Sequence, residues 1–492
     1  MYLSKSRYID YKQCPKKLWL NIYHRELADE MDQSVFINGN KVGELARNLF
    51  PGGTLVEYNH KDRHNIANMV KKTKELLESD IKVIYEAAFL RDNYLVICDI
   101  LVKTKRGFDI YEVKSSTSLK EVYEQDVTFQ YWVITSLGYK INHIYVTYIN
   151  NQYIRQGKLD INKLFISKDI TKRATQFIEE IDEDIQNITK IIEGDAPNTD
   201  IGLYCNNPYT CQFKSYCFKH IPKYSVFEIR NMNAKRKFEL YYQDILTFKD
   251  VRSNHVNIPQ SQMIQLDSRL DDVKIINKNN IKQFLNELYY PLYFLDFETF
   301  SSPIPLFDEN KPYQQIPSQY SLHYISEQNT LLEHKEFLAK EGIDPRYELA
   351  TRLIEDIPSN ACVLAYNMSF EKRVISELAN MYSDLDKQLM TIHNNIKDLM
   401  IPFRKKDYYI KEMKGSYSIK QVLPALFPND EQLKYENLKG VHEGQEAANA
   451  YLSLTDLDIT TREQIREDLL RYCELDTLAM VKIWEKLLSI VK

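Results

Sequence analysis

The chain has 492 residues and a formal net charge of −5, with 64 Lys and Arg against 69 Asp and Glu. With 44% hydrophobic and 27% charged residues it falls in the globular range, which excludes a disordered or fibrous chain, and its length calls for two or three cores. The first twenty residues hold no signal-peptide core and no run of about 18 apolar residues occurs, so a cytoplasmic protein without a membrane partner is expected. The near-balanced charge excludes a global basic field, so nucleic-acid binding must be local.

In chain order, residues 1 to 80 read as helices with a turn at Pro51-Gly52-Gly53, and 83 to 114 as strands (VIYEAAFL, YLVICDILV and GFDIYEVKSS). Helices resume near 119 and include the amphipathic ITKRATQFIEEIDEDIQNITKIIEG, ended by Gly194. A cysteine cluster follows, then a polar helical stretch whose ELYYQDILTFKDV piece resembles a helix-turn-helix but lacks its usual glycine, so it reads as a plain helical spacer. From 291 an α/β domain is predicted, with strands near 293 to 299, 320 to 325 and 362 to 366. Its final helix is expected to open on the capping box Thr460-x-x-Glu463. The domains expected are 1–223, a helical connector at 224–290, and 291–492.

In the first half Asp99 lies in one apolar strand, and Glu112 and Lys114 alternate on the next, so the last two share a face. Two carboxylates on adjacent strands can hold Mg2+ and a lysine can orient water, which is phosphodiester-hydrolysis chemistry; the bland alternative is an ion pair on a wet strand. The order Asp99, then Glu112-Val-Lys114, with FQYWVITSLG behind it, resembles the PD-(D/E)XK nuclease core. Gln130 matches the glutamine of RecB-like members, and Glu86 is a further polar wall. The resemblance implies a metal at Asp99 and Glu112, with Lys114 catalytic. Where such nucleases carry a histidine after Gly-x3, this chain has Gly39-Asn-Lys-Val-Gly43.

Seven cysteines, an odd number, argue for metal binding or buried thiols rather than a disulfide framework. Cys14 precedes the strands, and Cys205, Cys211 and Cys217 follow them at C-x5-C-x5-C. Four thiolates suit an iron-sulfur cluster or zinc, and the absence of a C-x2-C pair lowers the zinc reading. One cysteine before and three after the core resembles the 4Fe-4S staple of RecB-like nucleases, with CPKKLWL and YCNNPYTCQFKSYC as its flanks. Zn2+ stays open as the alternative.

In the second half Asp296 and Glu298 interrupt the apolar strand YFLDFETF and point to one face, where two unpaired acids call for cations. Downstream, Tyr472 and Asp476 are spaced i, i+4 on a helix. The pairing resembles DnaQ-like, DEDD-type exonucleases of the ribonuclease H-like fold. Their middle motif matches VLAYNMSFEKRVISELA, with Glu371 where the family has aspartate and Asn367 or Ser369 as a helix cap. The resemblance implies Mg2+ or Mn2+ held by Asp296, Glu298, Glu371 and Asp476, with Tyr472 aligning water. Arg404, Lys405 and Lys406 are candidates for phosphate contact and Tyr408 or Tyr409 for base stacking, against a solvated loop. His442 reads as structural. GSYSIKQVLPAL resembles a segment of a family of uncharacterised bacterial proteins that join the same two nuclease-like halves.

The expected whole is an α/β, multidomain protein: a PD-(D/E)XK fold with an iron-sulfur staple, then a DnaQ-like domain. A metal-dependent DNA nuclease, acting on single strands or ends, is the leading function. A nucleic-acid scaffold with decayed sites and a ribonuclease are the alternatives; RNA as partner stays open, and a helicase or other protein partner is not readable.

Overall fold

The three β-branched and aromatic segments between residues 83 and 114 form consecutive antiparallel strands, because each offers alternate apolar residues to two faces. The structure, a computed structural model, describes residues 2–30, 34–59 and 64–492. It is mixed α/β and multidomain. Contacts divide it into one unit of Met1–Ile221 with Ser302–Gln314, and another of Pro222–Ser301 with Gln315–Lys492.

In the first unit a seven-stranded sheet runs in the order β2 (Thr54–Leu55), β3 (Val83–Arg91), β4 (Tyr94–Thr104), β5 (Gly107–Lys114), β6 (Ile141–Ile149), β7 (Phe165–Asp169), with β1 (Leu3–Ser4) beside β4. One face is covered by α1 (Lys5–Gln13), a helix at Asn65–Glu78, α2 (Glu121–Ser136) and α3 (Ile178–Glu193), which share a core of Tyr8, Met69, Ile84, Val127, Phe129 and Ile181 among others. Each such fully buried aliphatic side chain contributes roughly 1.5–3 kcal/mol. The amphipathic stretch ending at Gly194 is two helices, Thr171–Gln176 and α3. Ser302–Gln314 is fastened within this unit: the Arg155 guanidinium donates to the carbonyls of Pro305 at 3.0 Å and Leu306 at 2.7 Å. The Arg155 backbone also exchanges bonds with Asn310 and Glu309.

In the second unit the five-stranded sheet is ordered β10 (Glu333–Leu338), β9 (Ile316–Ile325), β8 (Leu292–Phe300), β11 (Cys362–Ala365), β12 (Ile396–Asp398). The first three are antiparallel neighbours, while β8, β11 and β12 run parallel. Period two sends Leu292 and Phe294 into a core under the last helix, α5 (Ile459–Val491), with Met480, Ile483 and Leu487. Tyr293, Leu295 and Phe297 face the opposite core with Leu353, Ile375 and Leu378, the last two from α4 (Ser369–Met381).

Two local expectations are corrected. Helix α5 is capped two residues before Thr460: Asp458 accepts from Thr461 N at 3.1 Å, which fits a carboxylate better to the helix dipole. Neither Asn367 nor Ser369 caps α4; Met368 stands at its N-cap without a side-chain bond, and Asn367 takes φ 75°. The 224–290 stretch packs inside the second unit with its own small core of Val226, Ile229, Leu240, Phe248, Val251 and Leu266. Its helix-turn-helix piece is Ala234–Tyr241 and Phe248–Ser253, the second capped reciprocally by Thr247 and Asp250.

Candidate functional site

Along the face that β8 shares with α5, apolar side chains give way to acids. Leu292 and Phe294 are buried beneath the helix, and the next two side chains of that parity are Asp296 and Glu298. From α5, Tyr472 and Asp476 stand one turn apart and line the same cavity. One carboxylate oxygen each of Asp296, Glu298 and Asp476 lie within 4.8 Å of one another. With Glu371 from the first turn of α4 they line a cavity of about 440 Å³.

The charges in this cavity are poorly compensated. Burial, then Asp476 and Glu298, hold the Asp296 carboxyl well above the usual carboxylate range. Burial and Asp476 push Glu298 up to about 8. Burial, helped by Asp398 and opposed by its own backbone N–H, pushes Glu371 up to about 8. Glu371 Oε2 is buried without a hydrogen-bond partner. Asp476 rises only to about 6, because the hydroxyls of Tyr435 and Tyr472 and the charge of Lys420 oppose its burial. Tyr435 donates to Asp476 Oδ1 at 2.5 Å. Lys420 lies 5.2 Å and 5.3 Å from the ring centres of Tyr435 and Tyr472, and donates to the His442 carbonyl at 3.1 Å. The His442 ring itself lies 3.1 Å from the Leu438 carbonyl and 3.4 Å from Glu446.

The basic loop sits differently from its expected role. Lys406 is buried, donates to the Gly415 carbonyl at 3.1 Å and stacks 3.9 Å over Tyr409. Burial pushes its ammonium down to about 8, and Arg230 adds to this. Tyr408 and Tyr409 are buried too, so these three side chains pack the loop and have no free face for a base or phosphate. Arg404 lies 3.5 Å from Asp398, and Lys405 is exposed.

The acids of the first unit have internal partners. Glu112 is 2% exposed and accepts from Lys5 Nζ at 3.0 Å and 3.1 Å, Lys114 Nζ at 2.8 Å and Gln130 Nε2 at 2.7 Å. Burial alone would raise its carboxyl, but Lys114 and Lys5 hold it well below the usual range. Lys114 also reaches Asp126 at 2.6 Å. Asp99 accepts from Val113 N at 2.6 Å, and burial with Glu112 pushes it up to about 7. Glu86 stands at φ 55° between the Tyr85↔Ile100 and Ala87↔Cys98 pairs of an unshifted β3–β4 register, and its carboxylate pairs with Arg47 at 3.0 Å. At Gly43 no atom lies within 4 Å of where a Cβ would stand.

Four thiols meet at another cavity of the first unit. Cys14 separates α1 from the helix Pro15–Tyr23, and with Cys205, Cys211 and Cys217 it lines one small cavity bordered by Lys16, Lys17 and Lys214. All four are free thiols. Burial raises each, Cys211 to about 11, while the neighbouring lysines pull the other way. Gln13 ties the strap together, donating to the carbonyls of Tyr204 at 2.8 Å and Tyr209 at 2.7 Å. Among the described residues, two groups of possible metal ligands gather within 4.8 Å, and these thiols are spread more widely than that.

Sequence reasoning missed Lys5, Asp126, Lys420 and Tyr435. Lys5 carries no motif signal. Asp126 was visible one helical turn before Gln130, the spacing that puts both on one face. Lys420 lies inside GSYSIKQVLPAL, a segment singled out without a role for its lysine.

A family described as "Domain of unknown function (DUF2779)" matches residues 293–418, which include Asp296, Glu298 and Glu371 and stop short of Asp476. "Uncharacterized protein MG366" of Mycoplasma genitalium is 24% identical over 393 residues, covering 70% of this chain and 58% of that protein. "Uncharacterized protein MG366 homolog" of Mycoplasma pneumoniae is 28% identical over 223 residues, covering 42% of this chain and 33% of that protein. The chain thus spans between a third and three fifths of the length of these two relatives. "Uncharacterized protein UU173" of Ureaplasma parvum is 22% identical over 562 residues, covering 87% of this chain and 80% of that protein. Among the described residues no helix is long and apolar enough to cross a membrane.

Proposed function

We propose that the chain is a metal-dependent nuclease whose hydrolytic centre is the Asp296, Glu298, Glu371 and Asp476 cavity, removing nucleotides from the 3′ ends of nucleic-acid strands, DNA first among them, in repair, processing or defence. The observation that carries the reading is one acidic cavity in which three carboxylates converge within 4.8 Å and a fourth keeps a buried oxygen without a partner. Acids this close are held above the ordinary carboxylate range unless a cation joins them, so the donor set fits Mg2+ or Mn2+. When bound, such ions lower the pKa of attacking water and neutralise charge on the leaving oxygen. The sheet order, with a parallel trio flanked by two antiparallel strands, supports the ribonuclease H-like, DnaQ-like reading.

The side chains then divide the work. Asp296, Glu298 and Asp476 bind the ions, with Glu371 as the outer acid. Tyr472, which burial and Asp476 keep protonated far beyond neutrality, holds a donor hydroxyl beside the acids where it orients water. Lys420 also borders a neighbouring groove of about 530 Å³ lined by Arg230, Lys237 and Lys414. Arg230, Lys414 and Lys420 thus bring three positive charges to one groove, a lining that suits a phosphate backbone.

For the first unit, the sheet with α2 behind β5 supports the PD-(D/E)XK reading, and one specific observation favours the scaffold role there. Glu112 is saturated by two ammonium groups and an amide, so a divalent ion would have to displace Lys5. The four thiols fit an iron-sulfur cluster better than zinc, since tetrahedral Zn–S bonds of about 2.3 Å bring thiolates to about 3.8 Å of one another. In either case Cys14 would be stapled to the 205–217 segment.

The test is cleavage of end-labelled single- and double-stranded DNA and RNA by anaerobically purified protein with Mg2+ or Mn2+. Asp296→Ala/Glu298→Ala should abolish cleavage and Lys114→Ala should not. A wild type that cuts no substrate overturns the enzyme reading, and preference for RNA selects the ribonuclease.

A further inference from the structure

Behind the acidic cavity, on the antiparallel edge of the second unit's sheet, two histidines stand directly opposite each other: His323 on β9 pairs with His334 on β10. Their ring centres are 4.5 Å apart. Glu474, two residues before Asp476 on α5, completes a set in which one ring nitrogen of each histidine and a carboxylate oxygen lie within 4.8 Å of one another. His323 is 5% exposed.

The hydrogen bonds around the set fix which imidazole nitrogens carry protons. Thr477 Oγ1 lies 3.1 Å from the Glu474 carbonyl, which can only accept, so the threonine hydroxyl donates there. Thr477 Oγ1 must then accept from its two other partners, His323 Nδ1 at 2.8 Å and Ser321 Oγ at 2.7 Å. With its proton spent on Thr477, Ser321 accepts from His334 Nε2 at 2.9 Å. The chain leaves His323 Nε2 and His334 Nδ1 as lone-pair nitrogens. A second-sphere hydroxyl on the opposite ring nitrogen is how metal-binding histidines are oriented. Burial, with His334 adding to it, holds His323 down to about 4, so its ring is neutral at pH 7. Glu336, two residues along the same strand from His334, adds a carboxyl that burial, with Glu474 adding to it and His334 opposing, holds above its usual range.

We infer that His323, His334 and Glu474 form a second metal site, for a divalent first-row transition ion of the zinc class, which clasps the β9–β10 edge to α5. Two imidazoles and a carboxylate are a borderline-soft donor set that prefers such an ion to Mg2+. The clasp has a location with consequences: Thr477 follows Asp476, and Ser321 pairs in register with Asp296. Its ion would hold the azimuth of α5 and thereby the third acid of the neighbouring cavity. The inference stands without the nuclease reading.

The experiment is Co2+ and Zn2+ titration of the full chain in an Asp296→Ala/Glu298→Ala background, which removes the acidic cavity and leaves the thiols as a constant contribution. Parent, His334→Ala and Glu474→Gln proteins are compared by metal content after dialysis and by Co2+ ligand-field absorption, with unfolding in EDTA as the fold control. The parent should bind one equivalent more than either variant, with a nitrogen and oxygen spectrum for that equivalent, while unfolding in EDTA is unchanged. Equal stoichiometry in parent and variants overturns the site and makes the cluster a hydrogen-bond network only. If His334→Ala misfolds, the solvent-reaching Glu474→Gln decides by itself.

Discussion

Each unit buries a carboxylate cluster at the end of a strand, and the two solve the same electrostatic problem in opposite ways. In the first unit the cation is covalently attached: Lys5 and Lys114 sit on Glu112, which stays ionised. In the second, Asp296, Glu298 and Glu371 line one cavity where Lys420 only partly offsets the first two, and their carboxyls rise instead. The pair shows that acids on a strand do not announce a metal site by themselves. What decides is whether the fold has already supplied the countercharge.

The largest effect that would break this contrast is on turnover. Metal ions supply several kcal/mol of transition-state stabilisation, and about 1.4 kcal/mol is tenfold in rate, so Asp296→Ala should cost about 10³-fold in nuclease rate. Glu112→Gln should cost less than about tenfold; the reverse ranking in a labelled-strand assay would exchange the roles of the two units. Next, Lys5→Met should destabilise metal-free protein by about 3 kcal/mol, as removal of one partner of a buried pair does. Mn2+ should restore part of that loss in urea unfolding, by taking the place that the Lys5 ammonium leaves at Glu112; no Mn2+ dependence would deny that Lys5 stands in for an ion.

A smaller effect concerns pH. Glu298 and Glu371, at about 8 in the folded chain, hold protons that the unfolded chain releases near 4.5. The folded state binds more protons across that window, so stability without metal is highest below it and falls as pH rises towards 8. Scanning unfolding from pH 5 to 8 should show this decline, Glu298→Gln should flatten it, and Mn2+ binding at pH 7 should release protons. A rise in metal-free stability over that range would contradict the charge imbalance. Smallest are the groove contacts: Arg230→Ala and Lys414→Ala should each weaken single-strand binding a few-fold and reduce the salt slope by about 0.7. Lys406→Met should leave both unchanged.

The parts legible in the sequence were those set by short-range periodicity. YFLDFETF announced a strand with two acids on one face, and Tyr472 and Asp476 announced a helical pair, because periods of two and of three to four are local properties. The two neighbouring strands that carry Asp99 and Glu112 were legible for the same reason. Lys5 was not, since its contact with Glu112 spans 107 positions and depends on β1, just before it, pairing with β4. Lys406 misled because a basic, aromatic loop reads as solvent-facing until Gly415 and Tyr409 close around it. The His323 and His334 pairing required the register of β9 against β10, which the seven residues between those strands do not specify.

The excursion of Ser302–Gln314 into the first unit sets an order of manufacture. A ribosome that has released residue 221 has delivered a first unit without the segment that Arg155 holds. The chain must next emit the whole of 222–301, including β8 with Asp296 and Glu298, before that segment arrives. The usual vectorial sequence, in which an N-terminal domain closes before its successor appears, is therefore unavailable here. An uninterrupted fragment that holds all of one unit also carries part of the other, and a nascent chain stalled near residue 301 would expose an incomplete first unit to chaperones and proteases.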